Sequence, residues 1–267
     1  MMKGDEKIIL AAHRGDRKNY PENTMAAFRA AADFGVDMIE TDLHMTADGE
    51  LVIMHDRSAL RTAGVDRNLD EMTLAEVKAL DAGASFGAQF AGERVPTVRE
   101  FLAFVKETPL TVNWELKDYP DQVGDAHAFA AADRLTELIE AYGMGDRSML
   151  NSFSDRVLAH LAERVGHRYP IHGQGIFRCR RTRDDAGIPE EELYDWCCMY
   201  PEKRGGNPVD YPDSFAFCRA HGIVPCVCIA DTREDYEKAL TLGCRMFTSN
   251  DIAAADEVLR ALGVRGN

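Results

Sequence analysis

Lys7-Ile8-Ile9-Leu10-Ala11-Ala12 opens the segment that decides the fold; a helical stretch from Asn23 to Phe34 follows, and then Met38-Ile39-Glu40-Thr41-Asp42. Two short apolar runs flank a helix that starts on polar residues and stops at Gly35, which reads as strand, covering helix and a second parallel strand. The rhythm continues along the chain. Further strands are expected over Leu110–Leu116, Ser148–Asn151, Tyr169–Gly173, Trp196–Tyr200, Ile223–Ile229 and Arg245–Thr248. Helices from Ala126 to Tyr142 and from Asp231 to Leu242 end on Gly143 and Gly243. Strands alternating with helices predict an α/β chain closed as a (β/α)8 TIM barrel.

Length agrees with that reading. A barrel of this kind commonly takes roughly 250 residues as one domain, and the chain has 267, so 1–267 reads as a single domain with no Pro/Gly/Ser linker. Between Leu51 and Leu110 there is far more chain than one connecting helix needs, which predicts a small insertion after the second strand, at approximately 57–96. Inside it Thr73 and Glu76 have capping-box spacing, Leu74, Val77 and Leu80 form one apolar helix face, and Phe86 and Phe90 are expected to continue that packing. Loops that follow barrel strands surround the active site, so the insertion is either a lid or substrate wall, or a packing appendage.

Composition narrows the function classes. A formal charge of −14 repels nucleic-acid backbones, so no nucleic-acid partner is expected, and an anionic substrate must meet a local positive site. Met1-Met2-Lys3-Gly4-Asp5-Glu6 holds no apolar signal core and no apolar run approaches the ~20 residues that span a bilayer, so the expectation is a cytoplasmic protein without stable membrane insertion. Oligomeric state has no signature here. Seven cysteines, among them Cys197-Cys198, Cys226 and Cys228 in apolar runs, read as reduced structural thiols; Cys226-Val227-Cys228 lacks the spacing and the second pair of a metal site.

The chemistry gathers at strand ends. The first strand runs into His13-Arg14-Gly15, and the second carries Glu40 and Asp42, which strand alternation points the same way. Glu115 closes Leu110-Thr111-Val112-Asn113-Trp114, again where a strand opens onto the rim. Each group alone has a bland reading, as a solvated or salt-bridged side chain. Three carboxylates converging at one rim instead suggest a divalent cation, and hard oxygen donors favour Mg2+, Ca2+ or Mn2+ over zinc. The turn at Asp48-Gly49 and the run Leu51-Val52-Ile53-Met54 bring His55 and Asp56 to the same rim by a short hairpin. Lys117 lies two residues past Glu115, so Arg14 and Lys117 are candidates for phosphate binding. Pro21-Glu22-Asn23-Thr24 reads as helix punctuation with Asn23 or Thr24 as N-cap; His44 and His172 read as packing or solvent-facing; Gln174, Arg178 and Trp196 are candidate head-group contacts.

Taken together, His13-Arg14-Gly15, Pro21-Glu22-Asn23-Thr24, Glu40-Thr41-Asp42, Thr46-Ala47-Asp48-Gly49 and His55-Asp56 resemble the glycerophosphodiester phosphodiesterase family. Val95-Pro96-Thr97 with Glu100, Glu115-Leu116-Lys117 and Ser152-Phe153 extend the resemblance from about Ile8 to Phe153. It implies a cation on Glu40, Asp42 and Glu115, an acid–base pair of His13 and His55, and phosphate oxygens held by Arg14 and Lys117. The implied reaction is hydrolysis of small glycerophosphodiesters to sn-glycerol 3-phosphate and an alcohol. In the last third, Cys226-Val227-Cys228-Ile229-Ala230-Asp231 stands where the family carries a Trp-Thr-Val-Asn-like pattern, and Ile252 stands where proline is common, which leaves head-group preference open. Two rival readings are a phosphodiester lyase that stops at a cyclic phosphate and a catalytically silent binding barrel; the presence of both histidines and all three carboxylates argues against the second.

Overall fold

A computed structural model describes residues 7–175, 184–200, 206–228, 230 and 232–266. Among the described residues there are nine strands: β1 (Ile9–His13), β2 (Met38–Met45), β3 (Leu51–Ile53), β4 (Thr111–Leu116), β5 (Ser148–Ser152), β6 (Ile171–Gln174), β7 (Trp196–Met199), β8 (Val224–Cys228) and β9 (Met246–Ser249). All but β3 are parallel, and β1 pairs with both β9 and β2, so the sheet closes on itself into the expected eight-stranded barrel with helices outside. The predicted strand bounds shift by a few residues. The largest change is at β2, which runs on to Met45 because β3 folds back antiparallel and pairs Leu51, Val52 and Ile53 with Met45, His44 and Leu43.

Alternation sorts each strand. On β4, Asn113 and Glu115 face the lumen, while Trp114 faces out, fully buried, with Phe101 5.5 Å from it and 4.4 Å from Phe28. That aromatic stack seats the helices Met25–Phe34 and Val98–Val105 on the barrel wall. Helix Met25–Phe34 is capped by Thr24, not Asn23: the Thr24 hydroxyl accepts from the Ala27 N–H, and Gly35 closes the helix with φ of 87°. The lumen is unusual in content. Where such barrels pack branched aliphatic side chains, this one buries Asn113, Asn151, His172, Gln174, Cys198 and Cys226.

Between β3 and the helix at Val98, the chain builds its own small core from Val52, Met54, Leu69, Met72, Val77, Leu80 and Val95. Helix Leu74–Ala79 carries the full Thr73/Glu76 capping box. Phe86 and Phe90 do not join this core, contrary to expectation. They pair with each other, and Phe90 pairs with Tyr20 of the loop after β1 at centroid distances of 5.5 Å, leaving Phe86 exposed. Among the described residues, no helix is long and apolar enough to cross a membrane.

Candidate active site

The seven residues singled out from the sequence all lie at or near the carboxyl end of the barrel, because β1, β2 and β4 are neighbours. Register places His13 beside Glu40 and Asp42 beside Glu115. One carboxylate oxygen from each of Glu40, Asp42 and Glu115 lies within 4.8 Å of the others, and all three residues are buried. Burial and the neighbouring carboxylates Asp42 and Glu115 push Glu40 well above the ordinary glutamate range. Burial also raises Asp42, but Lys117 and Arg14 outweigh it and hold Asp42 below the ordinary range. Glu115 is raised by burial against the pull of Lys117. Glu40 Oε1 is buried without a hydrogen-bond partner among the described residues, and Asp42 Oδ1, also without a hydrogen bond, has only the Lys117 ammonium near it, at 3.3 Å. Orphaned carboxylate oxygens of this kind are costly unless a cation meets them, so the donor set fits one hard divalent ion.

The two expected phosphate-binding residues stand against these carboxylates. Lys117 Nζ bonds Glu115 and lies 3.3 Å from Asp42 Oδ1; its pKa is raised because Glu115 and Asp42 outweigh the effect of burial. Arg14 reaches Asp42 with Nε at 3.0 Å and donates through Nη1 to Glu22 at 3.0 Å. Arg14 sits at φ of 61° and Asn23 at 57°, a left-handed conformation that is uncommon outside glycine. Backbone and side chain over-determine it: the Arg14 N–H donates to Glu40, the Asn23 N–H donates to the Arg14 carbonyl, and the Asn23 amide donates to Asp42 Oδ2 at 2.8 Å. Thus Asn23, read as helix punctuation, aims the Asp42 carboxylate instead.

His13 ends β1, with Nδ1 2.6 Å from Asn250 Oδ1 and Nε2 3.8 Å from Glu40 Oε2. With Asn250 accepting from Nδ1–H, Nε2 keeps its lone pair and faces the carboxylates. Burial, then the Arg14 charge, push His13 down to about 4, so the ring is neutral near pH 7. His55 follows β3, is partly exposed, and has Nδ1 2.6 Å from Asp56 Oδ1. Burial and Lys117 lower it, while Asp42 and Asp56 pull the other way.

Several contributors escaped sequence reading. Glu22 gathers Arg14, Arg17 and Arg61 at 3.0, 2.9 and 2.7 Å, tying the loop after β1 to the segment after β3. Its place between Pro21 and Asn23 was visible, but its partners were not. His44 is not merely packing: Nδ1 bonds Asp118 Oδ1 at 2.7 Å and Nε2 lies 3.3 Å from the His55 carbonyl, so it braces the backbone that presents His55. Gln174 ends β6, buried, and donates to Asn151; Trp196 lies at the opposite end of the barrel, lining a cavity with Ile9 and Thr111, away from the rim where a head group would sit. Arg178 lies outside the described residues. Beside the carboxylates, a 260 Å³ pocket is lined by Arg17, Glu22, Arg61 and Phe86, joining the rim to the inserted segment.

The sequence profile of the glycerophosphoryl diester phosphodiesterase family matches residues 13–214. A glycerophosphodiester phosphodiesterase of Caldanaerobacter subterraneus subsp. tengcongensis is 38% identical over 249 residues, which is 92% of this chain and 95% of the relative. Among solved structures, a glycerophosphoryl diester phosphodiesterase-like protein of Silicibacter pomeroyi superposes with a TM-score of 0.80 at 22% identity, covering 98% of this chain and 96% of that one. An Oleispira antarctica phosphodiesterase, solved with the product sn-glycerol-3-phosphate, superposes with a TM-score of 0.79 at 21% identity over 94% and 96% of the two chains.

Proposed function

The chain belongs to the glycerophosphoryl diester phosphodiesterase family, and on that premise we propose that it hydrolyses small glycerophosphodiesters to sn-glycerol 3-phosphate and an alcohol at the rim around Glu40, Asp42 and Glu115. The observation that carries the proposal is the set of three buried carboxylates, with Glu40 Oε1 left without a hydrogen-bond partner, flanked by two histidines. Glu40, Asp42 and Glu115 would hold the cation, Mg2+, Ca2+ or Mn2+. When bound, it supplies Lewis-acid polarisation of the phosphate and screens its charge.

This chain's own groups do the rest. Arg14 and Lys117, which neutralise the carboxylates, turn toward the phosphate oxygens and favour the charge that develops there. His13, neutral and with Nε2 facing the site, takes the proton from the attacking hydroxyl, whether of water or of the glycerol 2-position. His55 protonates the leaving alkoxide, and Asp56 on its other nitrogen stabilises the imidazolium. The pocket between Arg17, Arg61 and Phe86 is the wall against which the alcohol group rests.

The test is release of glycerol 3-phosphate from glycerophosphocholine and glycerophosphoethanolamine with each cation and with chelator. Chelator-sensitive release is expected, and is expected to fall by ~10³-fold or more in His13→Ala. His55→Ala should lose glycerophosphocholine turnover yet keep most activity on an ester of a nitrophenol, whose departure needs no acid. Equal losses on both substrates would reassign His55, and chelator-insensitive turnover would refute the cation. A cyclic phosphate as sole product would make the protein a lyase.

A further inference from the structure

Below the carboxylates the lumen gathers a second set of donors with different chemistry. Cys198 on β7 and Cys226 on β8 are direct register partners, and His172 on β6 brings Nε2 to 3.1 Å from Cys226 Sγ. The two sulfurs and a ring nitrogen lie within 4.8 Å of one another, and the three residues are 2%, 1% and 3% exposed in the order Cys198, Cys226, His172. The Cys226-Val227-Cys228 run does not act as a local ligand pair. The set is assembled across three strands, with each residue on a different one.

The imidazole is also oriented for ligation. Its Nδ1 lies 3.1 Å from the Asn113 amide nitrogen and 3.5 Å from the amide oxygen, with Nε2 on the side of the thiols; with the Asn113 amide turned so that its oxygen accepts from Nδ1–H, Nε2 is free for a cation, and a donated hydrogen bond from the far nitrogen is what fixes a metal-ligating histidine. Cys228, half-buried, is one inward step along β8 toward the rim and bonds the Cys198 thiol, so it lies on the way in from the mouth. Burial pushes the Cys226 thiol up to about 12 and the His172 ring down to about 3, so without a cation the cluster is neutral and unreactive.

We propose that His172, Cys198 and Cys226 form a second metal site, selective for a thiophilic cation of the Zn2+ class and separate from the hard-oxygen site at the rim. Binding displaces one proton from each thiol: Zn2+ bonds two thiolate sulfurs and the imidazole nitrogen, two protons leave to solvent, and nothing is oxidised. Two thiolates cancel the charge of the ion, so the complex enters the lumen electrically neutral and avoids the cost of a buried net charge. The fourth tetrahedral position falls to Cys228 or water. The ion staples β6, β7 and β8, and chemical hardness sorts the two sites: oxygen-loving cations above, thiophilic ones below.

Metal-free full-length protein is titrated with Cd2+ and with Zn2+. One equivalent of Cd2+ added to the metal-free protein is expected to raise the ultraviolet sulfur-to-cadmium charge-transfer band with release of two protons, a large excess of Zn2+ is expected to abolish it by exchange without further proton release, and excess Mg2+ or Ca2+ is expected to leave it unchanged. Asp42→Asn, which cripples the rim site, should keep the band; Cys226→Ser should lose it. X-ray absorption at the zinc edge of the wild-type protein needs no variant and is expected to count at least two sulfurs and one nitrogen. Absence of the band in wild type, its survival in the Cys198→Ser/Cys226→Ser double variant, or a zinc shell of oxygen alone would each overturn the proposal. Because the readout is spectroscopic, failure here leaves the diesterase reading standing, and failure of that reading leaves this one.

Discussion

Asp118→Asn tests how far the brace behind His55 controls the site. The carboxylate is fully buried, accepts from the Met45 N–H and from His44 Nδ1 at 2.7 Å each, and has His127 Nε2 at 3.4 Å. Burial pushes this carboxyl up, but His44, His127 and the Met45 N–H outweigh it and hold it at about 2 against an ordinary 3.8. At about 1.4 kcal/mol per pH unit, the charged form contributes about 2 kcal/mol to stability at pH 7. Because the folded-state value is depressed, that contribution is fully present above the unfolded value near 4 and fades as pH falls through about 2. Asparagine keeps the shape but carries no charge and places an amide N–H against one donor. Urea unfolding should therefore show the variant less stable by about 2 kcal/mol at pH 7, with the gap narrowed to roughly half near pH ~3. Turnover on glycerophosphocholine should fall as well, since His44 loses the anchor that holds it under the His55 carbonyl. A gap that is absent at pH 7, or that does not narrow with acid, would refute the electrostatic account. Full stability loss with unchanged turnover would refute the brace.

Gly15→Ala forces φ of 79° on a residue with a side chain and brings its Cβ to 2.7 Å from the Ala27 backbone; a loss of about 1–3 kcal/mol in thermal or urea unfolding is expected. Gly173→Ala should cost a similar amount, about 1–3 kcal/mol, because the added methyl overlaps the Tyr194 ring; a neutral result would show that the ring has room to move. Glu22→Gln releases Arg14, Arg17 and Arg61 from a shared carboxylate, so kcat/KM should fall by roughly tenfold, about 1.4 kcal/mol, while the urea midpoint barely moves. An unchanged kcat/KM would make the cluster a surface feature.

The barrel was legible in the chain because its signals are local. Strand-length apolar runs, helix caps and glycine stops each occupy a few consecutive residues, and the alternation at Glu40-Thr41-Asp42 and Glu115-Leu116-Lys117 says which side chains share a face. Sequence by itself therefore determined the eight-stranded α/β architecture and marked the rim residues His13, Arg14, Glu40, Asp42, His55, Glu115 and Lys117. It could not say who meets whom. Asn250 reaches His13 only because β9 closes against β1; Glu22 meets Arg61 only because the segment after β3 folds back; and His44 finds Asp118, 74 residues on, across the β2–β4 pair. Cys226 looked like half of a poor local pair until register set it beside Cys198 and His172. Those partnerships depend on strand register and barrel closure, which sum contacts over the whole sheet, and so only the tertiary structure decided them.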